Sequence, residues 1–461
     1  GLNIQYSTSS KINRFDRLNQ YTNNQLKYAE WYYGPQKRLL ASLKLESKYK
    51  TKIYDYYTII GAFQKIDEDR ISRRLNNSKR TTNEEDVNVY SLNSDFLKQI
   101  NSKEVLYYGV ELTHNSVKSF AETEDIFTNF KSPTYTRYPS NGSEVFSSAV
   151  YATIEKSILK DFSINLGGRY SRSFYQSSFV EAFNFGLPFT DVTFNSGAFS
   201  GSFSLKYEEE HGFHGELIGS SGFRAPNVDD YGKIFEKDGY LVVPNIDLQP
   251  EFVKNGELNF SKKWIKNEKE YLMVKVAGFY TAISDAIVRS DFTLNGNDSI
   301  VFDGSTVKIQ ANQNINSAHI YGTSFDVRVS FTPYLSFNGS VNYTVGDNIT
   351  EESPLAHIPP LFGRMSLTYV SGKLQIQARS LFNGMKNIED FSTGTTDNPS
   401  EATIDGSPAW STYSLTGSYK IWKQLKIQVS IENILDTHYK QFSSGISGMG
   451  RNFSVSLSGN F

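Results

Sequence analysis

GFHGELIGSSGFRAPNVDDYGKIFEKDGYLVVPNIDLQPEFVKNGELNF, residues 212–260, is the stretch whose reading decides the fold. Residues 214–222 and 254–260 alternate apolar with polar, the period of a strand with one apolar face. Between them lies a connection of about thirty residues, where a hairpin ordinarily uses two to five, and loops that long are usually functional. The loop opens on Gly222-Phe223-Arg224-Ala225-Pro226 and closes on Pro244-Asn245-Ile246-Asp247-Leu248-Gln249-Pro250-Glu251. Pro226 fixes its own φ and biases Ala225 toward extended geometry. Arg224 can grip a carboxylate with two donors, and Glu251 at the far end of the loop is a candidate.

The same alternation fills the chain. Phe162, Ile164, Leu166, Gly168 and Tyr170 alternate with Ser163, Asn165, Gly167, Arg169 and Ser171. Tyr321, Thr323, Phe325, Val327, Val329 and Phe331 alternate with Gly322, Ser324, Asp326, Arg328 and Ser330, and Leu425, Ile427, Val429 and Ile431 with Lys426, Gln428, Ser430 and Glu432. These runs of about ten residues exceed the five or six usual in a soluble sandwich. The 461 residues include 29 Tyr and 33 Phe beside a formal charge of −2 and no Cys. Aromatic richness with a polar mean hydropathy fits strands that face lipid on one side and a wet lumen on the other. Arg169, Lys206, Arg328 and Lys426 all fall on the polar parity, as they must if the other parity meets lipid.

Connections also alternate in length. Short ones fall near 160–161, 209–212, 266–270, 332–334, 371–373 and 422–424; long ones near 119–142, 177–198, 223–253, 289–314, 347–362, 385–411 and 437–450. Short periplasmic turns and long extracellular loops are the outer-membrane barrel pattern. Trp264 and Trp422 sit beside short turns, where an interfacial aromatic belt would place them. In the N-terminal third the parity is blurred, and charged stretches at 67–74 and 79–86 read as solvated strand tops or loops. The expectation is an all-β transmembrane antiparallel barrel with about 18 strands in residues 1–461. Phe453, Val455, Leu457, Gly459 and Phe461 form a final apolar parity; an end of this kind resembles the insertion signal of outer-membrane proteins, and if that strand ends in the periplasm the 223–251 loop lies outside.

The Phe-Arg-Ala-Pro and Pro-Asn-x-x-Leu-x-Pro-Glu boxes resemble those of TonB-dependent outer-membrane receptors, in the branch that takes up haem from haemoglobin or iron from transferrin. Ala311-Asn312-Gln313-Asn314-Ile315-Asn316, His357-Ile358-Pro359-Pro360, Glu432-Asn433-Ile434-Leu435-Asp436 and Gly450-Arg451-Asn452-Phe453 extend the likeness to most of the chain. The resemblance implies a 22-stranded barrel in the bacterial outer membrane. It implies a plug domain and about four further strands outside these residues, with this chain as the C-terminal part of the barrel. It also implies active uptake driven by TonB through the plug, an iron-bearing cargo such as haem or a ferric siderophore, and no catalysis or resident cofactor.

The resemblance implies ligand contacts from the loop residues Phe223, Arg224, Ala225, Pro226, Tyr231, Tyr240, Pro244, Asn245, Leu248, Pro250 and Glu251, with loops 289–314 and 385–411 beside them. No His lies between the boxes, in residues 227–243; a tyrosine phenolate is the other protein ligand for ferric haem there, and Tyr231 and Tyr240 occupy that span. Alternatively these rings pack the loop. His319, His357 and His438 stand toward the extracellular side as possible ligand contacts. His211 and His214 flank a short turn, and no metal site is assigned to them or to Glu389, Asp390, Asp397 and Asp405. The near-neutral charge gives no support for a nucleic-acid partner. A bilayer, an extracellular ligand that is free or protein-borne, and a surface lipoprotein remain as partners. A passive porin, a barrel serving an envelope assembly, and a soluble β-rich binding module are the other readings.

Overall fold

The computed structural model describes residues 1–22, 24–180, 186–237, 239–267, 269–302, 305–393 and 396–459, without the side chains of Lys237 and Asn316. Its long strands are β1 (Leu2–Thr8), β2 (Lys37–Ser47), β3 (Tyr56–Arg74), β4 (Lys79–Asn101), β5 (Glu104–Asp125), β6 (Ser143–Ser157), β7 (Phe162–Ser178), β8 (Asp191–Glu208) and β9 (Phe213–Arg224). They continue as β10 (Glu251–Asn267), β11 (Glu270–Asp291), β12 (Ser305–Ser330), β13 (Leu335–Asn348), β14 (Phe362–Ser371), β15 (Leu374–Asn383), β16 (Trp410–Lys420), β17 (Leu425–Glu432) and β18 (Asn452–Gly459). Each pairs antiparallel with the next, from Leu2↔Leu43 at one end to Leu425↔Gly459 at the other. A short strand, Tyr28–Tyr33, continues the line of β2 against the top of β3.

The register carries apolar residues from strand to strand in level rows. One row reads Leu106↔Ile154↔Leu166↔Phe203; another reads Phe337↔Leu367↔Ala378↔Leu415↔Ile431↔Phe453. Which face is outside follows from β7. Tyr175, on the parity of Arg169, is buried against Tyr231 of the long loop, whereas Phe174, on the parity of Leu166, is exposed. The apolar rows therefore face out, and Val429 belongs to them. The inner face is polar, and its charges meet each other: Arg169 bonds Glu111, Tyr151 bonds Asp95, and Lys206 lies 3.7 Å from Glu216. In the N-terminal third the rows persist through Phe63↔Tyr90 and Tyr90↔His114, which resolves the blurred parity.

Turns at 102–103, 158–161, 209–212, 331–334, 372–373 and 421–424 cluster at one end, and the long connections lie at the other. Gly459 pairs beside the 421–424 turn, so β18 runs toward the short-turn end and the 225–250 loop lies opposite; Phe461 is outside the described residues. Trp264 and Trp422 are both exposed at the short-turn end.

The charged stretches at 67–74 and 79–86 are strand tops, and parts of the connections expected at 119–142 and 289–314 are strand as well. β4 has 23 residues and β5 has 22, where about 9–11 suffice to cross. Residues 79–86 pair with 118–125, and residues 67–74 pair with 80–86 and with the short strand 28–33. The 289–314 connection likewise shrinks to 292–304, because β11 and β12 stay paired up to Asp291↔Gln310. Polar residues do not end a strand once its neighbours rise with it, since the backbone ladder is as well satisfied above the membrane as within it. These extensions form a rim outside the membrane, on which the long loops pack.

Phe325 stands in an outward row between Val276 and Val341, and Ser324 beside it faces in. Phe325→Arg is expected to lower stability by about 2–4 kcal/mol and Ser324→Lys by less than about 1 kcal/mol. Urea titration of the full-length receptor in lipid, followed by heat-modifiable gel mobility, measures both.

Candidate functional site

The mouth of the barrel is organised around Arg224. β9 ends there, opposite Glu251 in the register, with Phe223 stacked over Phe252 at 6.2 Å. Ala225 is half-buried and Pro226 buried; Pro226 has no N–H to continue the ladder, so the chain turns inward. Asn227 then caps a one-turn helix, α1 (Val228–Tyr231), accepting from the Asp229 and Asp230 amides, while Asp230 accepts from the Asn227 amide. The Arg224 guanidinium donates to Glu251 Oε1 at 2.6 Å and Asp230 Oδ2 at 2.7 Å. Asp230 also accepts from Asn312 Nδ2 at 3.0 Å, and Glu251 from the Ile287 amide at 2.9 Å. One arginine thus ties together the start of the loop, its helix, its end and the top of β11–β12.

The second box closes the loop by similar means. Asn245 donates to the Asn312 carbonyl at 2.9 Å and accepts from the Asp247 amide at 3.0 Å. Asn314 accepts from the Gln249 amide at 2.8 Å and donates to the Gln249 carbonyl at 2.9 Å. Tyr231 donates to the Leu248 carbonyl at 2.8 Å. Pro244, Asn245 and Leu248 are buried, and Pro250 is half-buried beside Glu251. A short strand, Tyr240–Val243, lies parallel to residues 308–311 of β12. Its Leu241 and Val243 join Tyr231, Leu248, Tyr175 and Ile309 in a hydrophobic core outside the membrane. Asn312 and Asn314 were legible as part of a family-like word but not as the anchors of a loop sixty residues earlier in the chain.

The candidate ligand contacts separate into two groups. Tyr231 is only 1% exposed, stacks on Tyr175 at 5.3 Å and has its hydroxyl committed to Leu248, so it packs the loop and does not face a ligand. His319 is also corrected. It shares the outward parity of Tyr321, and its Nδ1 lies 2.8 Å from the hydroxyl of Tyr280, on the outer wall and away from the mouth. Tyr240 is half-buried at the start of its strand. His357 is exposed at positive φ, 3.1 Å from Ser443 Oγ and 3.4 Å from Asp397 Oδ1. His438, 2.8 Å from Ser447 Oγ, lines a cavity with Asp397, Trp410 and Tyr439 between the 384–409 and 433–451 loops. Among the described residues no three His, Asp or Glu side chains are grouped for a metal ion. His214 at the short turn lies near Glu208 and Glu216 instead.

Beneath the loop the charge balance turns positive. Arg137, Lys233 and Arg289 converge on the Phe235 ring at 5.0, 5.2 and 5.0 Å from its centroid. Asp229 is the nearby carboxylate, 3.0 Å from Lys233 and accepting from the Tyr138 hydroxyl at 2.8 Å. Burial pushes Asp229 up, yet Lys233 and the Tyr138 hydroxyl together outweigh it and hold its pKa below the ordinary carboxylate value. Burial and then the Asp229 charge push the Tyr138 phenol up to about 12. Burial, followed by repulsion from Arg137, lowers the Lys233 ammonium.

A membrane-spanning antiparallel barrel with a packed extracellular rim defines the class of an outer-membrane barrel with an elaborated mouth. The model of the family described as TonB dependent receptor-like, beta-barrel, matches residues 1–434, and the chain belongs to that family, whose place is the outer membrane. Over 244 residues it is 27% identical to the hemoglobin and hemoglobin-haptoglobin-binding protein A of Haemophilus influenzae, covering 50% of this chain and 22% of that protein. The copper transporter OprC shares the fold at TM-score 0.74 and 16% identity, over 94% of this chain and 66% of its own. The FrpB iron transporter of Neisseria meningitidis shares it at TM-score 0.72 and 13% identity, over 100% and 70%. The chain thus spans less than a quarter of the curated relative and just under two thirds of the first of these structures. The family and these neighbours are receptors and transporters rather than enzymes.

Arg224→Ala would leave the buried Asp230 facing Glu251 without a cation. After allowing for the partial exposure of Arg224, a local loss of about 1–3 kcal/mol is expected. Hydrogen exchange should speed at the Asn227 and Ile287 amides while the membrane strands keep their protection.

Proposed function

We propose that this chain is the barrel of an outer-membrane receptor that captures an iron-bearing nutrient, with haem or a haem-carrying protein first, and imports it with energy delivered by TonB through a plug domain. The observation that carries the reading is the relation to a hemoglobin-binding protein over half of this chain, within a family of uptake receptors. The mouth offers an aromatic, hydrogen-bonded platform held rigid by Arg224, which favours recognition with little loss of conformational freedom on binding. Of the residues between the two boxes that could meet a haem iron, Tyr240 remains, since Tyr231 is sealed in the core. His357 and His438 stand on the neighbouring loops.

The purified full-length receptor is titrated with hemin and followed by its Soret band, then with hemoglobin. A saturable red-shifted band that weakens about ten-fold or more in Tyr240→Phe is expected, a loss of the size expected when a strong polar contact goes. The absence of a spectral change with hemin, together with no capture of hemoglobin, would remove haem as the cargo. TonB-dependent growth on a ferric siderophore would then identify the other member of the class.

A further inference from the structure

Beside the cation cage lies a half-open cavity of about 450 Å³, bounded by the tops of β3–β5 on one side and by residues 132–137 and 234–236 on the other. That volume is within the range of small-molecule sites. Arg70, Arg73, Lys79 and Arg137 line it, together with Trp31 and Phe235. The carboxylates near it, Glu236 of the lining included, are mostly engaged, although Oε1 of Glu85 is buried without a partner. Glu68 and Glu85 bond Arg70, Glu30 bonds Arg73 at 2.8 Å, and Glu236 lies 3.2 Å from Lys27. Arg137 and Lys79, by contrast, have no ion-pair partner among the described residues. Nε of Arg137 is also buried without an acceptor, as is Nε of Arg289 across the Phe235 ring.

Asp229 and Glu85 lie close enough to act on these cations, but neither forms an ion pair with Arg137 or Arg289 among the described residues. Arg137 and Arg289 repel each other and Lys233, and a buried donor without an acceptor costs about 1–3 kcal/mol. Phe235 offers its faces to these cations, which offsets part of the repulsion without neutralising any charge. A mobile anion would complete such an arrangement, and the partly enclosed position makes each contact stronger than it would be in open water.

We propose that this cavity is an anion-binding site, which takes a compact molecule carrying two or more carboxylate or phosphate groups, with Arg137 as its central contact. The site lies inside the rim, where an anionic cargo or a small anion arriving with it would pass. This assignment rests on the uptake reading only for the source of the anion.

Trp31 lines the cavity and reports on it directly. The full-length receptor at low salt is titrated with citrate, with pyrophosphate and with neutral sucrose, following tryptophan fluorescence and confirming the source of the signal with Trp31→Phe. Saturable binding of citrate or pyrophosphate is expected, with none of sucrose. Arg137→Gln should weaken it about ten-fold or more, and Arg137→Lys less, because the charge stays while the fork is lost. Binding of only citrate identifies a carboxylate site, and binding of only pyrophosphate a phosphate site; both outcomes support the proposal. No saturable response to either anion, or unchanged affinity in an Arg137→Gln protein that keeps its heat-modifiable mobility, overturns it. Failure of hemin and hemoglobin to bind would remove the haem reading while leaving this result standing.

Discussion

Hydrocarbon offers no partner for a backbone amide, and the rest of the structure depends on that constraint. Each strand must pair along its whole membrane length, and pairing fixes which side chains stand opposite which. A slip of one residue would turn an outward row inward and set Arg169 or Arg328 against lipid, so the alternation and the register enforce each other. The row from Phe337 through Leu415 to Phe453 is this constraint written in side chains. The inner face then inherits every charge the outer face cannot hold, and pairs such as Arg169 with Glu111 and Lys206 with Glu216 keep them satisfied.

Above the membrane the constraint relaxes but the ladder continues. β3, β4 and β5 rise well beyond the lipid and give the loops a wall to lean on. The 225–250 loop uses it as a small domain would, burying Tyr231, Leu241 and Leu248 on Tyr175 and Ile309. Loop backbone that leaves a sheet must find other partners for its polar groups. Arg224, Asp230, Asn245, Asn312 and Asn314 supply them. The two sequence boxes are therefore the hinges of this loop and set its path.

The barrel was legible because period two, turn length and charge parity are local signals that a membrane amplifies. The strand order and the outward face of Leu425 to Ile431 follow from them. The rim was legible only in part. Residues 67–74 and 79–86 are charged, and charge leaves strand top and loop both open while the neighbour that pairs with it is unseen. The pairing of Arg224 with Glu251 could be anticipated from chemistry, since the two residues bracket one loop. Asn312 could not, because its partners Asp230 and Asn245 are more than sixty residues away. His319 shows the opposite error. Its place near the extracellular end suggested a ligand contact, but height along a barrel says nothing about face, and its parity with Tyr321 puts it outside.

Net charge hides more than it reveals in such a protein. A formal charge of −2 over 461 residues suggests a surface indifferent to ions, yet the sign varies sharply from place to place. Short turns carry lysines, the inner wall carries matched pairs, and the space under the long loop gathers Arg137, Lys233 and Arg289 around one phenyl ring. A cleft lined by one sign of charge, with low-dielectric walls, focuses the field toward its opening and raises the local concentration of counter-ions. The polar inner face therefore has a direction as well as a composition: Arg137 and Arg289, without an ion-pair partner among the described residues, gather around Phe235 of the loop that carries the two boxes, facing the wall formed by the tops of β3–β5.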